Sequence, residues 1–217
     1  TYAKLIENAK NLAGALQDKG VCSGVNVGIL LPRSSDVIEA IAGVVFAGGT
    51  FVYLDPDLAE ERLKYIIQNA DIQVLIGEHR IEAIDQIQSV SIDDVGNWSP
   101  PKIDLNDPLY ILYTSGTTGA PKGVTIPHLG ILNLLEELNA EIFSQHTEHE
   151  ELALLSSFSF DASMQFIFSC LCLGQTLTIV PEELRKDGRE LIKFLGDHDI
   201  TITDGIPTHL QAMMLRT

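Results

Sequence analysis

Residues 109–123 read LYILYTSGTTGAPKG, an apolar run passing directly into hydroxyls and glycines and ending in a lysine. This chemistry suits a phosphate group. Small residues such as Gly116 and Gly119 let the backbone close around oxygens so that N–H groups point inward. Thr114, Ser115, Thr117 and Thr118 add hydroxyl donors, and Lys122 adds a positive charge held beside Pro121. The spacing is not that of the usual P-loop, which would need glycine at 121, where Pro121 stands; no G-x-G-x-x-G occurs either. By composition alone, the stretch is also compatible with a plain turn.

A second candidate is Asp161 within FSFDAS, residues 158–163, placed between an apolar strand and an apolar helix. Two readings stay open. An aspartate at a helix start can accept backbone N–H bonds and complement the helix dipole. A carboxylate in a partly buried pocket can instead hold a cationic ligand group. Other constellations are weaker. The six histidines show no H-x-x-x-H spacing, and His146 and His149, among Glu148, Glu150 and Glu151, read as a solvated loop, so no metal site is assigned. Ser115 lacks the G-x-S-x-G context of a hydrolase nucleophile.

The elements that must position these residues alternate between helix and strand. Leu5, Ala9, Leu12, Ala13 and Leu16 fall on one face of a helix over 3–19. The apolar run 25–31, stopped by Pro32, predicts a buried strand. Ser34 or Ser35 caps a helix over 36–47, which Gly48 and Gly49 end. A strand at 50–54, a helix at 59–69 and a strand at 72–76 follow. Residues 89–108 are polar, carry Pro100, Pro101 and Pro108, and read as a connector between layers or subdomains. Beyond the loop come a helix over 127–145, a strand at 152–156, a helix at 161–173 and a strand at 176–180. A helix at 188–197, a strand at 200–204 and a helix from Pro207 complete the chain. Repeated βα units predict an α/β fold of mostly parallel sheets with helices on both faces. Ligands of such sheets sit beyond the carboxyl ends of the strands, where the loop falls. The expected organisation is a first α/β layer over 1–88, the connector 89–108, and an α/β subdomain over 109–217.

The 217 residues carry 14 Lys and Arg against 30 Asp and Glu, a formal charge of −16. That balance argues against non-specific binding to nucleic acid or anionic membranes. No apolar run approaches the ~20 residues of a membrane span, and the expected location is cytoplasmic. An acidic chain that binds a polyanion must concentrate cations at the site and recruit Mg²⁺. Cys22, Cys170 and Cys172 fit no zinc or disulfide pattern and read as buried thiols.

The string TSGTTGAPKG at 114–123 resembles the phosphate-loop signature of the adenylate-forming superfamily, which includes acyl-CoA synthetases, luciferases and adenylation domains of nonribosomal peptide synthetases. FDAS at 160–163 resembles the adenylation domains that activate amino acids, in which this aspartate binds the substrate α-ammonium group. Thr1-Tyr2-x-x-Leu5, VVFAGGTFVYLDP at 44–56 (with Phe46 and Leu54 where Lys and Ile are usual), GQTLTIVP at 174–181 and IPTHL at 206–210 are similar to further motifs of that family in order. The resemblance covers essentially the whole chain. It implies the N-terminal subdomains of the adenylate-forming fold, truncated before the motifs that hold adenine and ribose, so that this stretch alone is expected to be inactive. It further implies ATP with Mg²⁺, an amino acid substrate, and a carrier domain whose phosphopantetheine thiol receives the product. Other synthetase modules and the C-terminal part of the adenylation domain are the remaining implied partners. In residue terms, 114–122 would hold the β- and γ-phosphates with Lys122 neutralising charge. Asp161 would hold the ammonium, and Phe160 would wall the pocket. Ala162, Gln165 and Asp204 match positions lining the family's side-chain pocket, in a combination that resembles pockets for glutamine or its acid. Gln165 on a solvent face and Asp204 ending a strand remain the structural alternatives. An acyl-CoA or acyl-carrier ligase, and a non-catalytic interaction module, are the rival functions.

Overall fold

The computed structural model describes residues 1–77, 87–114, 121–145 and 149–214. It divides into two compact units, Thr1–Gly130 and Ile131–Thr217.

The first unit is built on a six-stranded sheet. Its elements are α1 (Tyr2–Asp18), β1 (Asn26–Ile29), α2 (Ser35–Ala47), β2 (Thr50–Tyr53), α3 (Glu60–Asn69), β3 (Ile72–Ile76), β4 (Gln88–Val90), β5 (Pro108–Thr114) and β6 (Lys122–Pro127), in sheet order β4-β3-β1-β2-β5-β6. All neighbours are parallel except β5 and β6, which form an antiparallel hairpin. The mostly apolar character of β1, β2 and β3 follows from burial of nearly all their residues on both sheet faces, with Gln73 of β3 the exposed exception. Leu63, Ile66 and Ile67 of α3 pack on Val52, Leu54 and Leu75, with Ile111 and Tyr113 of β5 at the margin of that cluster. The predicted caps of α2 are present: Ser34 accepts from the Asp36 N–H, and Gly48 ends the helix at φ +86°.

The segment expected as a connector, 89–108, differs from that reading. Its first residues belong to β4, and the rest straps across α1 and α2. The Gly96 N–H donates to Asn11 O at 3.0 Å, Trp98 Nε1 to Phe46 O at 2.8 Å, and Gln17 bonds both backbone groups of Ser99. Lys10 Nζ lies 4.9 Å from the Trp98 ring centre. At Gly14 and Gly96 the backbones meet: a Cβ added to either would sit 2.2 Å from the other's backbone. The strap leads into β5, which pairs with β2 and with β6. The sheet therefore carries the chain through Pro127, and the first unit ends at Gly130 rather than before residue 109. Residues 122–127, between the expected loop and the expected helix, form the strand β6.

The second unit holds a parallel three-stranded sheet, β8-β7-β9, from β7 (Glu151–Leu154), β8 (Thr176–Ile179) and β9 (Ile202–Thr203). Around it run α4 (His128–Glu141, whose first turn belongs to the first unit), α5 (Asp161–Leu173), α6 (Gly188–Asp197) and α7 (Pro207–Met214). Ala153, Leu155, Val180 and Leu191 form its core with Phe194, Leu195 and Met213. Asp187 caps α6 by accepting from the Arg189 and Glu190 N–H groups. The cysteines depart from expectation: Cys170 is buried, whereas Cys22 and Cys172 are exposed. No helix among the described residues is long and apolar enough to cross a membrane.

Gly14→Ala or Gly96→Ala should cost about 1–3 kcal/mol by forcing two backbones apart. Gly196→Ala, in α6 with open space at the Cβ position, should instead gain up to about 1 kcal/mol. Urea unfolding midpoints of the three variants check the contrast.

Candidate functional site

The hairpin β5–β6 presents the first set of candidate residues. Its last cross-strand pair is Thr114 opposite Lys122, with Tyr113 opposite Gly123 one step earlier. Directly opposed residues of an antiparallel ladder share a sheet face, so the hydroxyl and the ammonium stand side by side at the hairpin's end, both exposed. Ser115, Gly116, Thr117, Thr118 and Gly119 lie outside the described residues.

Two bonds from α3 fix the stems of that loop. Tyr113 Oη donates to Asn69 Oδ1 at 2.7 Å, and Tyr65 Oη donates to Pro121 O at 3.2 Å. The carbonyl of Pro121 immediately precedes Lys122, so α3 holds the lysine's strand from one side. Burial, and next the neighbouring Tyr65, push the Tyr113 phenol above its ordinary range, which keeps it a donor. Gly123 admits the Tyr113 ring: a Cβ there would lie 3.1 Å from both Ile111 Cγ2 and Tyr113 Cζ. At the opposite end of the hairpin, the His128 N–H donates to Asp107 O, while Ser23 Oγ and the Asp104 N–H donate to the Asp107 carboxylate at 2.8 and 3.0 Å. Those bonds hold the Asp107 carboxyl below its usual range, the Asp104 N–H most strongly. Neither Tyr65 nor Asn69 was identifiable from sequence, since each acts on residues more than forty positions away.

The second set gathers at the end of β7 in the other unit. The N-cap position of α5 is Phe160, in extended backbone, whose side chain makes no capping bond. Asp161 is the first helical residue. Its Oδ1 accepts only from the adjacent Ala162 N–H among the bonds described, at 2.8 Å, and its side chain is exposed. Phe160 rather than Asp161 thus takes the N-cap position, while Asp161 still accepts one backbone N–H at the helix start. Its carboxylate sits at the positive end of the helix dipole, a favourable place for an anion. The approach to this turn is rigid. Phe158 is buried, Phe160 N–H donates to Ser157 O at 3.0 Å, and Ser163 Oγ donates to Phe160 O at 2.6 Å. Phe160 itself is 64% exposed. Gln165 falls one helical turn after Asp161, on the same face, and both Ala162 and Gln165 are half-buried. Asp204, just past β9, points its carboxylate at the strand end leading into this turn. Oδ1 accepts from the Leu155 and Ser156 N–H groups at 2.5 and 3.2 Å, and Oδ2 from Ser156 at 3.1 Å.

One neighbour of Asp204 carried no signal in the sequence. His209 of α7 takes the Ile206 N–H on Nδ1 at 3.4 Å. Its imidazole is pushed below the ordinary range by burial first and by Arg185 second, against the opposing pull of Asp204 and Glu182. Arg185 pairs with Glu182. Among the described residues, no group of three or more His, Cys, Asp or Glu could hold a metal ion.

A hydroxyl and a lysine thus end the hairpin of the first unit, and in the second a carboxylate opens a helix at the carboxyl end of a parallel sheet, the edge at which α/β proteins bind their ligands. The chain matches the AMP-binding enzyme family over residues 1–217, and it belongs to that family. It is 36% identical to surfactin synthase subunit 1 of Bacillus subtilis (strain 168) over 98% of its own length and 6% of that protein's. Its fold is similar to the AMPPNP-bound crystal structure of the nonribosomal peptide synthetase FmoA3, with TM-score 0.86 and 25% identity over 98% of this chain and 23% of that one. It is also similar to holo-AB3403, a four-domain nonribosomal peptide synthetase bound to AMP and glycine, with TM-score 0.83 and 25% identity over 100% of this chain and 16% of that one. The chain thus spans a small fraction of each relative.

Tyr65→Phe should lower global stability by less than about 1 kcal/mol, since the lost bond is partly exposed. It should nevertheless speed amide exchange at the Thr114 and Lys122 end of the hairpin while leaving the β1–β2 ladder unchanged. Exchange that rises equally in both places would contradict the clamp.

Proposed function

We propose that the protein containing this chain activates an amino acid as its adenylate, with glutamine or glutamate as the substrate. The observation that carries the reading is Asp161, which opens α5 with an exposed carboxylate whose one described bond is from the adjacent Ala162 N–H, so that Oδ2 faces outward for a ligand group. An α-ammonium is a fitting partner for such a group, because an ion pair with several hydrogen-bond donors satisfies both charges. Support comes also from the family and from the relatives, which are nonribosomal peptide synthetases.

In this reading one substrate carboxylate oxygen attacks the α-phosphorus of Mg·ATP. An O–P bond forms, the bond from the α-phosphorus to the α,β-bridging oxygen breaks, and pyrophosphate leaves with that electron pair. Thr114, Ser115, Gly116, Thr117, Thr118 and Gly119 hold the β- and γ-phosphates, and Lys122 offsets the charge that builds on the leaving group. Asp161 fixes the ammonium and so orients the carboxylate for attack. Phe160 and Ala162 shape the pocket wall. Gln165 meets the side chain, where its amide can pair with a carboxamide or a carboxyl. The activated residue then passes to a phosphopantetheine thiol on a carrier domain. Fatty or aryl acids carry no ammonium, so a ligase for them would have no use for Asp161; that is what disfavours the acyl-ligase alternative.

Amino-acid-dependent ATP–pyrophosphate exchange by the full-length protein tests the reading, with Gln, Glu, Leu, Phe and a fatty acid as the panel. Exchange is expected with Gln or Glu, and Asp161→Asn should lower kcat/KM for the amino acid by roughly 30- to 1,000-fold. Gln165→Lys should move preference toward Glu, by placing a cation where the side-chain carboxylate lies. Lys122→Ala should reduce turnover about 100-fold. Exchange confined to the fatty acid, or indifferent to Asp161, would overturn the assignment.

A further inference from the structure

The geometry at the end of β9 points to a different task for Asp204 than lining a side-chain pocket. We propose that Asp204 is a positioning residue: it clips the strand end that leads into α5 and thereby sets where Asp161 stands. The inference rests on the reading of Asp161 given above.

β7 ends at Leu154, so the N–H groups of Leu155 and Ser156 have left the sheet ladder. Both residues are nearly inaccessible, at 0% and 5% exposure. Buried donors without partners are costly. Asp204 takes both, with one oxygen shared between them and the other on Ser156. These are charge-assisted bonds, stronger than their neutral counterparts. Asp204 also continues a pattern. β9 contributes two residues to the sheet, and side chains extend its grip on β7: Thr201 Oγ1 bonds both the N–H and the carbonyl of Glu151, and Thr203 Oγ1 donates to Ala153 O at 3.1 Å. Thr201, Thr203 and Asp204 thus stitch β7 from its first residue to just past its last.

From Ser156 the constraint runs on without a break. Ser157 Oγ accepts from the Ser159 N–H, Ser157 O accepts from the Phe160 N–H, and Ser163 Oγ holds the Phe160 carbonyl. Asp161 follows directly. Both Asp204 oxygens are turned to backbone, so the negative charge is committed before any substrate arrives. A change at Asp204 then displaces Asp161 for every substrate alike, whereas a contact to the substrate side chain would discriminate among them.

The test is D204N in the full-length protein. The amide retains one acceptor oxygen but turns an NH₂ donor toward the strand-end N–H groups. The expected result is a kcat/KM lower by roughly 10- to 100-fold for every amino acid accepted, with rank order preserved. The loss should sit in KM for the amino acid, with KM for ATP held within about twofold. Amide exchange at Leu155 and Ser156 should accelerate in step. Loss of folded protein alone would lower apparent kcat and move neither KM. If D204N does not fold, D204E keeps the charge, lengthens the arm by one methylene and should show the same pattern at smaller amplitude. A changed rank order with undisturbed exchange at Leu155 and Ser156 would overturn the proposal and return Asp204 to the pocket wall. If the wild type activates no amino acid, the functional reading fails, and the amide exchange still decides the clip.

Discussion

Backbone amides that leave a parallel sheet at its carboxyl edge lose their ladder partners, and meeting that demand shapes both candidate sites. In the first unit the hairpin carries the ladder on to Thr114 and Lys122, and α3 braces its end, Tyr65 donating to the Pro121 carbonyl and Asn69 accepting from the Tyr113 hydroxyl. In the second, Asp204 receives the two amides that follow β7. Each solution leaves a defined side chain at the edge of its sheet: a lysine in one unit, an aspartate in the other. Chemistry at such edges depends on how firmly these ends are held, because reacting groups must be placed within fractions of an ångström.

The electrostatics follow the same division. With 14 basic side chains against 30 acidic ones, cations are scarce. Lys122 stands exposed beside a hydroxyl, at the close of a sequence suited to phosphate. Arg185 is committed to Glu182 in the other unit. Asp161 sits exposed at the start of α5, where a helix dipole favours a carboxylate. His209, shielded by burial and repelled by Arg185, stays neutral there and adds no charge beside Asp204.

Much of the fold was legible because burial writes periodicity into sequence. The apolar runs of β1, β2 and β3, the one-faced pattern of α1, and the Ser34 and Gly48 ends of α2 read directly. Strand β6 did not, because an edge strand with exposed faces shows no alternation, and Pro121 with Gly123 looked like loop chemistry. The strap over α1 was illegible for another reason. What holds it is the absence of side chains at Gly14 and Gly96, a feature that carries no hydrophobic signal. Asp161 could be found from its motif, but whether it capped the helix depended on backbone geometry one residue away. In the sequence Asp204 reads only as a pocket position or the end of a strand. Its partners, 48 and 49 positions distant in the chain, were beyond any local pattern.

Recognition of an α-ammonium group by Asp161 is what the proposed function depends on. The most direct measurement is a crystal structure of the full-length protein with a non-hydrolysable glutaminyl-adenylate analogue bound. The ammonium nitrogen is expected within about 2.7–3.2 Å of an Asp161 carboxylate oxygen, with the carboxylate unmoved at the start of α5. An ammonium held elsewhere, with Asp161 turned to solvent or to the helix backbone, would contradict it.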